Sequence, residues 1–328
     1  MNTLLKYLKP NENTKLSDLS GSDLQDFLIL LDEYYLEYRD KLNLNKATFG
    51  FEIECENIKT EKIGLILAKN NLSDWSLLDD TSLQDGMEIT SSILYDKLDC
   101  WEHLKKTCDI LKKYAFIGNN SGGHIHVGAD ILCSKKYNYL NFLKMWICYE
   151  NIIYRFGYGE YLNKRNSISY AKPLSNILMN DYSEVENMSL QQILSKITYG
   201  KYYAVNFSNV KPLSKFAIKN TIEFRCPNGS LNEIIWQNNV NFFIKLLLYC
   251  KSNRFDSDKI DRRINYNKNT YGEFFLEIYN EIYLDQALEL SDMIFSNNLD
   301  KINFLRQYLK DYSVCNSMVK AKTFVKNI

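Results

Sequence analysis

Apolar and polar residues alternate along several short stretches of this chain. In Phe49-Gly50-Phe51-Glu52-Ile53-Glu54 the period is two, which predicts a strand from about Thr48 to Glu54. Its carboxylates, Glu52 and Glu54, share one face, while Phe49, Phe51 and Ile53 take the other. Gly122-Gly123-His124-Ile125-His126-Val127-Gly128 repeats the pattern with two imidazoles, and its glycines leave room for a ligand or a second backbone. Trp75 to Ser92 reads as strands broken by turns, one of them at Asp85-Gly86. Tyr202 to Phe207 and Ala217 to Cys226 are the last predicted strands. In the latter, Glu223 and Arg225 share a face opposite Ile222 and Phe224.

Elsewhere the spacing is helical. Ser22-Asp23-Leu24-Gln25 reads as a capping box, followed by Leu24, Phe27, Leu28, Leu31 and Tyr35 on a helix to about Leu42. Asp99 is placed to cap a helix with the stripe Trp101, Leu104, Cys108 and Leu111. Phe142, Trp146, Tyr149 and Ile153 predict a long buried helix. Ser230-Leu231-Asn232-Glu233 forms a second capping box, opening a helix to about Cys250. Beyond Asn253 the chain reads as mostly helical, with a cap at Thr270 to Glu273. This order predicts an α+β fold with a largely antiparallel sheet. Three regions follow: a helical extension over 1–46, a core over 47–254 and a helical region over 255–328 packed on the core.

Composition narrows the function. The chain has 328 residues, enough to bury a sizeable core, with 40 basic and 40 acidic side chains. A balanced charge argues against a protein that binds nucleic acid chiefly by neutralising phosphate. The locally basic Lys320 to Lys326 and the 24 tyrosines read as a charged terminus and ordinary core aromatics. No segment has the character of a signal or membrane span, and the eight cysteines lack a C-x-x-C pair. A cytoplasmic, reducing location is the expectation.

Taken singly, each polar stretch has a bland reading. Glu-x-Glu on a strand is commonly a solvated face, and Glu223 with Arg225 could be a structural ion pair. Together with Asp79, Asp80 and Glu88 around the turn at 79–89, they change the picture. Carboxylates converging on one site repel unless cations lie between them. Hard divalent ions take oxygen ligands and tolerate an imidazole. The set therefore predicts a site for two or more divalent ions with Arg225 beside it for an anion, which suits phosphoryl transfer.

The ordered set Phe49–Glu54, Asp80-Thr-Ser…Gly86-Met-Glu88, Gly122–Gly128 and Thr221–Arg225 resembles the amidoligase family, within the carboxylate–amine ligase superfamily of glutamine synthetase and glutamate–cysteine ligase. The run from Glu223 to Asn232 is similar to a strand-to-helix segment of glutamine synthetase. Arg165-Asn166, with Tyr170 and Lys172-Pro173, resembles an arginine segment of amidoligases. The resemblance implies a curved, mostly antiparallel sheet binding ATP and two or three Mg²⁺ or Mn²⁺ ions. Glu54, Asp80 and Glu88 would hold one ion, and Glu52, His124 and Glu223 the nucleotide-side ion. His126 would line the same face, touching phosphate or substrate. Arg225 would neutralise the transferring phosphoryl group, and Arg165 would bind phosphate or a substrate carboxylate. One departure stands out: Thr221 occupies a position that is arginine in glutamine synthetase, leaving Lys219 or Arg165 to replace that contact.

The implied reaction is ATP-dependent amide formation through an acyl phosphate. Its carboxylate would come from an amino acid, peptide, cell-wall fragment or protein side chain. The amine needs a base, for which Asp79 is a candidate. The flanks would set substrate choice or homo-oligomerisation. Two rival functions are a metal-dependent amide hydrolase built on His-x-His and a non-catalytic relative that binds a nucleotide or peptide. The first is short of imidazoles, since only His103 remains, and the second leaves the acidic set without a purpose.

Overall fold

A computed structural model describes residues 3–57, 60–83, 85–162, 168–178, 182–198, 202–211, 219–271 and 282–311. Arg165, Ala217, Cys315 and Lys320 to Lys326 lie outside them, as do the last residues of the cap expected at Thr270 to Glu273. The strands are β1 (Phe49–Cys55), β2 (Ser76–Asp79), β3 (Met87–Thr90), β4 (Gly123–Gly128), β5 (Val205–Asn206) and β6 (Thr221–Phe224). The first helices are α1 (Thr3–Tyr7), α2 (Gly21–Asp32), α3 (Thr60–Lys69), α4 (Leu98–Tyr114), α5 (Lys136–Gly157) and α6 (Ser175–Leu178). They are followed by α7 (Tyr182–Asn187), α8 (Leu190–Ile197), α9 (Glu233–Cys250), α10 (Ser257–Tyr271), α11 (Leu284–Ile294) and α12 (Asn298–Tyr308). None among the described residues is long and apolar enough to cross a membrane.

The fold is α+β. All six strands pair antiparallel in the order β2-β3-β1-β4-β6-β5. Register sorts the side chains by chemistry. Ile53 lies opposite Ile89, Phe51 opposite Ile125, and Ile125 opposite Phe224, so one face is apolar throughout. Helices cover that face. Phe224 stacks on Phe243 of α9 at 4.1 Å and on Trp146 of α5 at 5.8 Å. Phe51 meets Trp236 edge-on at 5.3 Å, and Phe49 stacks on Trp101 of α4 at 4.9 Å. These rings are fully or nearly fully buried, each contributing a few kcal/mol of transfer free energy. The other face carries the acidic and imidazole side chains.

Two compact units emerge, Tyr38–Glu281 and Met1–Glu37 with Ile282–Ile328. Their limits differ from the boundaries expected after residues 46 and 254, for physical reasons. The backbone of Arg39 exchanges hydrogen bonds with the Gln237 side chain, and Asp96 accepts from Leu42 and Leu44, which joins 38–46 to the sheet-bearing unit. On α10, Asp261 pairs with Lys144 of α5 at 2.8 Å, and Asn267 donates to the Cys148 carbonyl, so α10 belongs there too. In the smaller unit, Asp292 accepts from the backbone of Leu16 and Ser17 and pairs with buried Lys301.

Several helix limits also differ from expectation. α2 begins after Ser20 instead of at a Ser22 cap, and it stops at Asp32. The next carbonyl but one, that of Tyr34, accepts from Arg306. Tyr34 is buried and Tyr35 is 81% exposed, the reverse of a helix continuing its stripe. α4 has no side-chain cap, Asp99 lying within its first turn. α9 is capped by Asn232, which accepts from Ile234, while Ser230 accepts from Asn232 one turn earlier.

Glu150 of α5 is fully buried and accepts from Trp146 and from the backbone of Leu174 and Ser175, tying the 168–178 segment to α5. Burial, opposed by these hydrogen bonds, pushes its carboxyl up from 4.5 to about 7. The folded state therefore holds this proton more tightly than the unfolded chain. Its stabilising contribution is complete below pH 4.5 and is lost as pH rises through 7, by about 3 kcal/mol in all. Chemical denaturation across this range should show that decline, and Glu150→Gln should flatten it.

Candidate active site

The polar face concentrates its chemistry on β1, β4 and their neighbours. Glu52 lies opposite Thr90 on β3 and opposite His124 on β4. Glu54 lies opposite Glu88, and His126 opposite Glu223. The two histidines grip a single carboxylate: His124 Nδ1 is 2.7 Å from one oxygen of Glu52, and His126 Nε2 is 2.7 Å from the other. His124 also lies 3.6 Å from Glu54 through Nε2 and 3.5 Å from Glu223 through Nδ1.

Around this centre a ring of donors fixes the carboxylates. Gly122 N–H donates to Glu54, Thr90 donates to Glu88 at 2.9 Å, and Ser82 donates to Asp80 from both backbone and hydroxyl. Arg225 donates to one oxygen of Glu223 and Asn206 to the other. Arg225 is itself steadied by the Tyr170 carbonyl at 3.3 Å. Gly123 serves packing: a β-carbon there would lie 2.5 Å from the Trp236 ring and 2.6 Å from the Asn228 carbonyl. Of the two expected occupants, a ligand or a second backbone, it is the backbone at Pro227 and Asn228 that lies against this glycine, together with the Trp236 ring.

Opposite charges and burial pull the ionisations apart. Burial works against an ionised Glu52, but hydrogen bonds from His124 and His126 outweigh it and hold the carboxyl well below its usual range. Burial opposes a charged His124, yet the bond to Glu52 raises its pKa. Glu223 is lowered, against burial, by His124 and then Arg225. Glu88 is raised by burial and by the neighbouring charge of Glu52. Glu88 thus resists ionisation first because it is buried and then because another carboxylate is close, and a divalent cation would relieve the second.

Among the described residues, three sets place one ligand atom per residue within 4.8 Å of one another: Glu52, His126 and Glu223; Glu52, Glu88 and His124; and Glu54, Asp80 and Glu88. The third is the expected ion set. The first two share out the expected set of Glu52, His124 and Glu223, pairing Glu223 with His126 and His124 with Glu88. Oxygen-rich donor sets with one imidazole in each of the first two and none in the third fit Mg²⁺ or Mn²⁺.

A family model described as "Putative amidoligase enzyme" matches residues 9–247, well over half of the chain. The chain belongs to the amidoligase family. No curated protein matches it. Membership groups the protein with ligases, and the matched span contains every residue of the cluster.

Within this amidoligase, the structure brings together Glu52, Glu54, Asp80, Glu88, His124, His126, Glu223 and Arg225. Asp79, the candidate base, is a correction. It pairs with Met87, a buried residue of the opposite face, while Leu78 faces Glu88. Strand alternation therefore turns Asp79 away from the cluster. Arg165 lies outside the described residues, Lys219 is exposed, and the Thr221 hydroxyl sits 3.4 Å from His126 Nδ1. Asn206, Thr90 and Ser82 escaped the sequence reading. The polar position of Asn206 within an apolar strand segment was the one available signal.

Removing one charge should separate repulsion from metal binding. Glu88→Gln should raise the melting temperature of the metal-free protein and weaken Mn²⁺ binding by at least about tenfold. Calorimetry with and without Mn²⁺ reads both effects.

Proposed function

We propose that this protein is an ATP-dependent carboxylate–amine ligase working through an acyl phosphate. The observation carrying the reading is the polarity of the site: a row of carboxylates and imidazoles across β3, β1 and β4, ending in Arg225 after β6. A substrate carboxylate attacks the γ-phosphorus of ATP, forming a new P–O bond and releasing ADP. An amine then attacks the acyl carbon, forming the C–N bond as the C–O bond to phosphate breaks, and the nitrogen's proton leaves with the departing phosphate. The divalent ions, when bound, supply Lewis-acid charge neutralisation at the phosphoryl oxygens.

The chain's own residues orient this chemistry. Glu223 and the Tyr170 carbonyl aim the guanidinium of Arg225, which offsets charge developing on the transferring group. His124 and His126 hold Glu52 ionised and fixed, ready as a ligand. Gly122 and Thr90 perform the same service for Glu54 and Glu88. Such preorganisation avoids rearranging dipoles during the reaction.

An ADP-release screen over pooled carboxylates and amines with Mg²⁺ or Mn²⁺, followed by mass detection of the condensed product, tests the reading directly. Amide cleavage without ATP would point to a hydrolase instead. Glu223→Gln should lower ATP turnover by roughly 10²–10³-fold. Unchanged turnover in that variant, with the true substrates present, would refute the assignment.

A further inference from the structure

Glu150 of α5 is a fully buried carboxylate that takes no part in the acidic row. Among the described residues its partners are N–H donors and no cation. Trp146 Nε1 and the Leu174 N–H each lie 2.7 Å from one oxygen, and the Ser175 N–H lies 3.2 Å from the other. Removing a carboxylate from water without a counter-charge is costly. Two acceptor oxygens are what the place demands, because two consecutive peptide N–H groups meet one on each. A glutamine there has a single acceptor oxygen and must turn its NH₂ toward one of those donors.

Both sides of this grip lead to Arg225. Leu174 and Ser175 follow directly on a segment that holds the arginine twice. The Tyr170 carbonyl accepts from Arg225 Nε at 3.3 Å. The Lys172 carbonyl accepts from the Ala204 N–H at 2.8 Å, and the Ala204 carbonyl accepts from the Arg225 N–H at 2.7 Å. Pro173 joins Lys172 to Leu174 with a fixed φ, so a displacement at 174 passes to 172 with little absorbed between. Tyr154 of α5 adds a second anchor, its hydroxyl donating to the Ala171 carbonyl. On the other side, the Trp146 ring that donates to Glu150 stacks on Phe224, the residue before Arg225.

We infer that Glu150 is a positioning residue for Arg225: it fixes the 168–175 segment and the Trp146 ring, and through them the guanidinium. It lies in the core, off the polar face, and acts only through these groups. Its effect on the reaction rests on the ligase reading above, whereas its hold on Arg225 is measurable without any substrate.

Proton–nitrogen NMR of the full chain, labelled with ¹⁵N at arginine, reads that hold, with Arg225→Lys identifying the Arg225 Nε–H signal. In the wild type this N–H is bonded to the Tyr170 carbonyl and should exchange slowly with water. In Glu150→Gln it should exchange at least about tenfold faster. Asn267→Ala breaks a different bond to α5, at the Cys148 carbonyl, and should leave the exchange within about twofold of wild type. Where Glu150→Gln does not fold, Tyr154→Phe decides, since it frees the Ala171 carbonyl of the same segment and should speed exchange too. Unchanged exchange in the deciding variant, or an equal rise in Asn267→Ala, overturns the assignment. In ADP-release assays Glu150→Gln should lower kcat about tenfold and leave the KM for ATP within about twofold, the split expected of a group felt mainly in the transition state. Faster exchange with no ADP release from any substrate pool keeps the hold on Arg225 and sinks the ligase reading. ADP release at the wild-type kcat in Glu150→Gln leaves the ligase reading standing and overturns the inference.

Discussion

The register of β1 between β3 and β4 governs everything else. A slip of one residue would drive Glu52 and Glu54 toward Trp236 and Trp101 and expose Phe51 and Ile53. Aromatic packing of α4, α5 and α9 on the apolar face locks that register. The opposite face can then gather carboxylates that would never assemble by their own affinity. Hydrophobic burial on one side thus holds electrostatic repulsion in place on the other.

That repulsion is only partly relieved within the protein. His124 and His126 hydrogen-bond the two oxygens of Glu52, Arg225 and Asn206 satisfy Glu223, and Gly122 serves Glu54. Among the described residues Glu88 has one side-chain donor, the Thr90 hydroxyl, and burial with the nearby charge of Glu52 raises its pKa. A site whose carboxylates are fixed by neighbours but left short of positive charge is suited to cations.

The supporting shell is drawn from distant parts of the chain. Asn206 reaches Glu223 from the edge strand β5, and the Tyr170 carbonyl reaches Arg225 from a segment anchored by buried Glu150. Disturbance at Glu150 therefore has a short physical route to the arginine, through one backbone segment. The histidine pair, which by itself suggests an imidazole-dominated metal site, instead works as two clamps on a carboxylate.

Short-range periodicity by itself determined the strands at 49–55 and 123–128, the helices α4, α5 and α9 on the apolar face, and which face of β1 and β4 is polar. Each depends on alternation or helical spacing, which neighbouring residues carry in full. The ordered motifs likewise pointed to the amidoligase family. Only the tertiary structure decided the end of α2, where the Tyr34 carbonyl is taken by Arg306, and the cap of α9 at Asn232. It also turned Asp79 to the wrong face, divided the ligand sets between His124 and His126, and joined 38–46 to the sheet through Gln237 and Asp96. These features depend on partners far away in sequence, whose positions no local pattern encodes.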